Sequence, residues 1–342
     1  MDLHAIAERV AAHLTAVAGP TRVAGLEPLA GGACQDNFVV DLDIQGGPDV
    51  GDHRVVLRSD GSALLDGTLS RREEFGVINA AVAAGVRTPR ARWLGRGLVQ
   101  EDAWALFLDW APGVAIGRKV LRDPDLAGAR ETLADELAGE LARIHSIRPP
   151  SCGGADLPGL PEPAGGDAAA AAIASARRML QTVPEPHPAM ELCLRWLAQN
   201  APPTPRLCLA HRDFRTGNFL VTAPGLSAVL DWEFSGWGAP EEDLAWISVR
   251  DWRFGNLDRP IGGFAERDPF YAAYEAASGH AVDRRVVHWW EVMGNLRWGL
   301  GCLAQLARYS SGQTRDLEMV AIGRRAAEME YEALRLIQRG DF

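Results

Sequence analysis

The stretch Leu207-Cys208-Leu209-Ala210-His211-Arg212-Asp213-Phe214-Arg215-Thr216-Gly217-Asn218-Phe219-Leu220-Val221 is followed, after a turn, by Ala228-Val229-Leu230-Asp231-Trp232-Glu233. Its three apolar runs have the length of buried strands and are too short for helices. The polar side chains fall at the ends of those runs, with Asp213 and Asn218 in one tight loop and Asp231 where the last run stops. Asp and Asn favour turns for backbone reasons, which accounts for any one of them taken alone. Three oxygen-bearing groups around one loop need a chemical reason as well.

Phosphoryl transfer from a magnesium nucleotide supplies that reason. It demands a carboxylate beside the acceptor hydroxyl and oxygen ligands for a cation that bridges the phosphates. The step of five positions from Asp213 to Asn218 matches the kinase catalytic-loop pattern H-R-D-x-x-x-x-N. On this reading Asp213 is the base, and Asn218 and Asp231 are the metal ligands. His211 holds the loop backbone by hydrogen bonds. Arg212 is left open between a pair with Asp243, a phosphate contact and a solvated surface arginine. Metal-dependent hydrolysis at His211 and Asp213 is the weaker reading, because a transition-metal site asks for more His or Cys nearby.

Toward the N-terminus the pattern changes to strands. Residues 5 to 17 read as a short helix, and strand signals run from Leu29 to about Leu57. Phe38, Val40, Leu42 and Ile44 alternate with Val39, Asp41 and Asp43, which puts the first set on one sheet face. The Gly46-Gly47-Pro48-Asp49 turn leads into Arg54-Val55-Val56-Leu57-Arg58, so two antiparallel strands are expected. Residues 70 to 84 predict a helix with Glu74, Ile78, Ala81 and Val82 on one stripe, ended by Gly85. Apolar runs near 90–94 and 103–108 complete a small strand-rich lobe. Beyond Pro112-Gly113 the chain is mostly helical, with stripes such as Leu133, Leu137, Leu141 and Ile144, and Trp289, Met293, Leu296, Leu300 and Leu303.

These residues resemble the aminoglycoside phosphotransferase and choline kinase group of small-molecule kinases. The likeness covers roughly residues 25 to 330. It is sharpest at His211-x-Asp213-x-x-x-x-Asn218, at Asp231, and at Gly238-Ala239-Pro240-Glu241-Glu242-Asp243-Leu244-Ala245. Within that group the sequence is most similar to the branch associated with acyl-CoA dehydrogenases. The resemblance implies an α+β, protein-kinase-like bilobal fold, with a small antiparallel-sheet N-lobe carrying one main helix and a larger, mostly helical C-lobe. The lobes are expected at residues 1–108 and 114–342, with a hinge at 109–113. It also implies ATP or GTP as donor, Mg²⁺, and a small hydroxyl compound as acceptor.

The nucleotide lobe departs from the usual pattern. The family places a lysine on the third strand, bridging phosphates and a helix glutamate, and here Arg58 stands in that place. The single lysine, Lys119, lies outside the lobe. Arginine keeps the charge and changes the geometry. Glu74, on the inward stripe, is the expected partner and Glu73 the alternative. Gly31, Gly32 and Ala33 lie between strands, where small residues let backbone N–H groups approach phosphates. They match neither the dinucleotide fingerprint nor the Walker P-loop. Leu106-Phe107-Leu108-Asp109-Trp110-Ala111-Pro112-Gly113 resembles the hinge that binds adenine through the backbone of Asp109 and Ala111. Glu233, Asp251, Arg253, Asn295 and Trp298 are candidate acceptor-site residues, with Trp252 and Arg297 beside them, and helix-face or core roles explain most of them equally well.

Composition bounds the alternatives. The 342 residues, 47% of them hydrophobic, suffice for two lobes with a buried core. A formal charge of −10 disfavours nucleic acid or an anionic membrane as partner, since no basic field gathers phosphates. Five cysteines without a C-x-x-C pair fit a reducing compartment, and Met1-Asp2-Leu3-His4 lacks a basic n-region, so a cytoplasmic location is expected. Oligomeric state is not encoded in these patterns. A nucleotide-sensing pseudokinase is the alternative function, argued for by Arg58 and against by the intact Asp213, Asn218 and Asp231.

Overall fold

The structure is a computed structural model describing residues 2–29, 36–61 and 67–340. Its first unit is a five-stranded antiparallel sheet in the order β1-β2-β3-β5-β4. The strands are β1 (Thr21–Pro28), β2 (Asp36–Ile44), β3 (Gly51–Ser59), β4 (Ala91–Arg96) and β5 (Trp104–Asp109). Alternation assigns the two faces. Phe38, Val40, Leu42, Ile44, Val55 and Leu57 are buried together with Ile6, Val10 and Leu14 of helix α1 (Leu3–Val17). The opposite face carries Leu106 and Leu108, packed against Val77, Ile78 and Ala81 of α2 (Arg71–Ala83). Arg58 is one residue out of phase with Leu57, so it lies on the α2 side, opposite Leu106 of β5.

One feature of this unit differs from the sequence expectation. Strand β1 precedes the region read as strand. It is an edge strand interrupted by a register shift between Val23 and Gly25, so its alternation is broken where periodicity would reveal it. Helix α1, expected over residues 5 to 17, packs on the sheet face that carries Phe38, Val40, Leu42 and Ile44. The glycine turn at Gly31, Gly32 and Ala33 lies outside the described residues.

After Asp109 the chain crosses to the second unit at Gly113, whose φ of +137° is accessible chiefly to glycine. A Cβ there would sit 3.1 Å from the Val221 backbone, because Val114 and Val221 exchange backbone hydrogen bonds immediately beyond. The second unit comprises α3 (Gly117–Arg122), α4 (Ala127–Ile144), α5 (Ala168–Gln181) and α6 (Pro188–Gln199). The small strands β6 (Cys208–Ala210), β7 (Phe219–Thr222), β8 (Gly225–Val229) and β9 (Gly236–Gly238) follow, and then α7 (Pro240–Trp246), α8 (Arg267–Ser278), α9 (Arg284–Ser310), α10 (Leu317–Gly323) and α11 (Ala326–Arg339). β7 pairs with β8, and β6 with β9, both antiparallel. Leu133, Leu137, Leu141 and Ile144 of α4 are fully buried, as their spacing predicts. The 27-residue α9 runs through the core with Val292, Leu296 and Leu300 inside. Among the described residues no helix is long and apolar enough to cross a membrane.

Candidate active site between the lobes

The loop after β6 is pinned from below by one carboxylate. Asp243 of α7 is fully buried and accepts the backbone N–H groups of His211 and Arg212, both at 2.7 Å, and the His145 Nε2–H at 3.1 Å. Burial opposes its ionisation, and the bond from His145 and the charges around it still hold the carboxyl below its ordinary value. Arg212 adopts φ +63°, a strained conformation for a side chain of that size. Its N–H is held by Asp243 and its carbonyl accepts from Arg297, so the strain is fixed at both ends. The Arg212 side chain pairs with Glu242 at 3.2 Å rather than with Asp243.

His211 takes the bracing position. Its Nδ1 accepts the Asp213 N–H at 3.2 Å, which puts the ring proton on Nε2, 3.0 Å from the Leu230 carbonyl. Burial lowers its pKa below the usual histidine value, against the pull of Asp243 and Asp213. The neutral ring therefore ties the loop to the strand segment that ends at Asp231.

Asp213 carries three donors. Arg215 Nε and Trp246 Nε1 each lie 3.0 Å from Oδ1, and Asn218 Nδ2 lies 2.5 Å from Oδ2. Asn218 Nδ2 also donates to the Asp213 carbonyl at 3.0 Å, which orients the amide and leaves Oδ1 as its acceptor atom. The Leu230 N–H donates to the Asn218 carbonyl at 2.8 Å, bringing Asp231 alongside. Asp231 has φ +63° and keeps 43% of its side chain exposed. Partial burial raises its pKa, but Arg58 and then Arg215 more than offset this and hold it below the usual range.

Across the cleft Arg58 forks. Nη1 meets Glu74 Oε1 at 3.0 Å and Nη2 meets Asp231 Oδ1 at 2.8 Å. Burial alone would lower the Arg58 pKa, and Glu74 followed by Asp231 raises it instead. Glu73 is occupied elsewhere: its carboxylate accepts the Ser70 N–H at 2.8 Å in the capping box that starts α2. The sequence reading passed over Arg71, buried to 1% exposure, which meets Glu74 Oε2 and reaches Glu233 Oε2 at 2.8 Å. The signal for it was its place three residues before Glu74 on the same helix face. Arg215 and Trp246 were missed too; Trp246 carried none, because its partner Asp213 is 33 positions away.

The donor set suits a hard cation that borrows phosphate oxygens. Asp231 offers a carboxylate and Asn218 an amide oxygen, and magnesium is commonly held by one or two protein oxygens plus phosphates and waters. Among the described residues no group of three or more His, Cys, Asp or Glu gathers as a metal cage. At the hinge the Asp109 N–H donates to the Arg90 carbonyl at 3.0 Å and the Trp110 N–H to Arg54 at 3.1 Å. The backbone N–H groups of Asp109 and Trp110 are thus engaged within the protein.

Most acceptor-site candidates have internal partners. Asp251 accepts from Trp298 Nε1 at 2.5 Å and Arg325 Nε at 3.0 Å. Arg253 donates to the Ser248 carbonyl and to Glu291 at 3.2 Å. Asn295 is fully buried and donates to the Glu291 carbonyl at 2.8 Å. Glu233 faces Arg71, and burial together with Asp231 raises its pKa. Arg297 packs over Trp246 at 4.0 Å and bonds Glu242 at 3.0 Å. Beside Asp213 the wall is Arg215, stacked 4.4 Å over Trp252, which in turn packs 4.9 Å from Trp298.

The profile of the Phosphotransferase enzyme family matches residues 25–288. The mouse acyl-CoA dehydrogenase family member 10 is 27% identical over an alignment of 217 residues that covers 57% of this chain and 18% of the mouse protein. The chicken acyl-CoA dehydrogenase family member 11 is 44% identical over 64 residues, 18% of this chain and 8% of that protein. The chain thus spans less than a fifth of either relative's length. Among solved structures, a provisionally named aminoglycoside phosphotransferase from Ralstonia eutropha matches with TM-score 0.72 at 21% identity, over 97% of this chain and 98% of that one. A choline/ethanolamine kinase family protein from Mesorhizobium loti matches with TM-score 0.62 at 22% identity, over 97% and 95%. A thermostable mutant of aminoglycoside phosphotransferase APH(4)-Ia, in ternary complex with AMP-PNP and hygromycin B, matches with TM-score 0.61 at 19% identity, over 97% and 98%. The fold is therefore kinase-like and bilobal.

Proposed function

Because the chain belongs to the phosphotransferase enzyme family, we propose that it moves the γ-phosphoryl group of ATP or GTP to a hydroxyl of a small molecule. Asp213 is the base that receives the hydroxyl proton. Asn218 Oδ1 and Asp231 hold Mg²⁺, which neutralises charge on the phosphates when bound. Arg58, aligned by Glu74, binds phosphate oxygens, and the Ala111 N–H holds the base. The observation that carries this reading is that Asn218 bonds Asp213, its carbonyl accepts from Leu230 next to Asp231, and Arg58 bonds Asp231 at 2.8 Å.

The acceptor is read from charge. Among the described residues, three acids of this region are already engaged: Glu233 by Arg71, Glu242 by Arg212 and Arg297, and Asp251 by Trp298 and Arg325. That pairing disfavours a polyamine, while Arg215 and the tryptophan wall favour a neutral or anionic hydroxyl compound with an apolar body. Hydroxyacyl thioesters are the first class to try.

The test measures ADP release against hydroxyacyl-CoAs, amino sugars and choline. One acceptor should stimulate release, and Asp213→Ala should lower kcat by 10²–10⁴-fold while nucleotide binding is kept. Nucleotide binding with no transfer to any acceptor would favour the pseudokinase reading. Transfer at the wild-type rate by Asp213→Ala would remove the base assignment.

A further inference from the structure

We propose that Arg71 is a positioning residue that keeps Glu74 in place while Arg58 exchanges Asp231 for phosphate, an assignment that rests on the phosphotransfer reading above. In the described arrangement Arg58 is bonded to both Glu74 and Asp231. The reaction needs its outer arm on the nucleotide and the Asp231 carboxylate on the cation. Once that arm leaves, Arg58 is aimed only by Glu74, so whatever fixes Glu74 fixes the phosphate contact.

Arg71 is built for this. The two Glu74 oxygens are divided between two guanidiniums, Oε1 to Arg58 and Oε2 to Arg71. Glu74 is fully buried, where a carboxylate without partners is costly. Arg71 is anchored independently of the nucleotide. Its Nη2 crosses to Glu233 at 2.8 Å, and its Nε lies 3.4 Å from Asp60 Oδ1. The same Asp60 oxygen accepts the Arg71 backbone N–H at 2.9 Å. The Leu69 N–H donates to the Glu233 carbonyl at 2.6 Å, adding a second crossing beside the first. The charges therefore alternate as Asp231, Arg58, Glu74, Arg71, Glu233, and the chain closes through the backbone of Trp232. Only a planar fork with several donors serves three acids at once, and a lysine ammonium on its flexible stem would not hold that geometry.

A residue acting through Arg58 must lose its influence when Arg58 is gone, whereas a merely structural residue keeps it. The experiment measures the dissociation constant of a fluorescent ADP analogue with Mg²⁺ for the full chain. Arg71→Lys is made alone and together with Arg58→Met, and Glu233→Gln, which leaves no buried charge unpaired, is carried through the same cycle. Arg58→Met should weaken binding at least fivefold. Arg71→Lys should weaken it at least fivefold, and Glu233→Gln about threefold, in the chain that has Arg58. Both effects should shrink below twofold in the Arg58→Met background. Equal losses in both backgrounds, or wild-type affinity in Arg71→Lys, would overturn the assignment. So would an Arg58→Met chain that binds as tightly as wild type, since Arg71 would then have no phosphate contact to act through. Failure of the wild-type chain to bind any nucleotide would instead overturn the phosphotransfer reading itself.

Discussion

A lysine at position 58 would reach one partner, whereas the arginine reaches two, Glu74 at 3.0 Å and Asp231 at 2.8 Å. Arg58→Lys should therefore raise the KM for ATP by up to about tenfold, the equivalent of one charge-assisted hydrogen bond of about 1.5 kcal/mol. kcat should stay within about threefold, because the charge remains. An unchanged KM would mean that position 58 does not touch phosphate. Asp231→Ala goes further and should abolish the Mg²⁺ dependence of nucleotide binding, read by titrating a fluorescent nucleotide with and without EDTA. A persistent Mg²⁺ effect would remove Asp231 from the ligand set. Asp213, Asn218, Asp231, Arg58 and Glu74 could be picked from the sequence because each belongs to a short spacing or a helix stripe. The contacts that orient them could not. Trp246 donates to Asp213 from 33 positions away, Asp243 stands in a stretch the sequence singles out but its hold on the backbone of Arg212 spans 31 positions, and Glu233 meets Arg71 across 162.

The connections that join elements are tested by their backbone. At Gly113 a side chain would need a rare φ and would press on Leu220 and Val221 at 3.1 Å. Gly113→Ala should therefore destabilise the protein by about 1–3 kcal/mol, measured by urea unfolding. Loss of less than a few tenths would show that the crossing to β7 relaxes freely. Helix α2 was legible to within a residue at each end, since Ser70 caps it and Gly85 follows. The same regularity failed at β1 and β9. The first is an edge strand with a register shift, and the second is three residues, Gly236–Gly238, too short to show a period. What reveals β9 is its pairing with β6, a contact that no local pattern encodes.

The sequence changes periodicity near Gly113 from strand alternation to helical stripes, and these local stripes supply one core under α1 and a larger one that joins α2 and β5 to the helices beyond. How the lobes meet could not be read, because the clasp through Arg58 and Arg71 depends on partners far apart in the chain. The loop between them is held by groups whose ionisation couples to the stability of the whole. His211 is buried and neutral, with its pKa below the ordinary 6.5. As pH falls through 6.5 the unfolded chain takes up a proton that the folded chain refuses, so stability declines on the acid side. The slope for one such proton is at most about 1.4 kcal/mol per pH unit. Asp243, with its pKa below the carboxylate value of 3.8, adds a second loss of the same sign as pH drops below that value. The two are separable by pH window. His211→Gln removes the titrating ring while keeping an amide donor for the Leu230 carbonyl. It should flatten the stability profile as pH falls below 6.5 without altering the loss that Asp243 adds below 3.8. Urea unfolding midpoints taken every half pH unit for both proteins decide it. Parallel profiles as pH falls below 6.5 would mean that His211 accepts its proton as readily in the folded loop as in the unfolded chain.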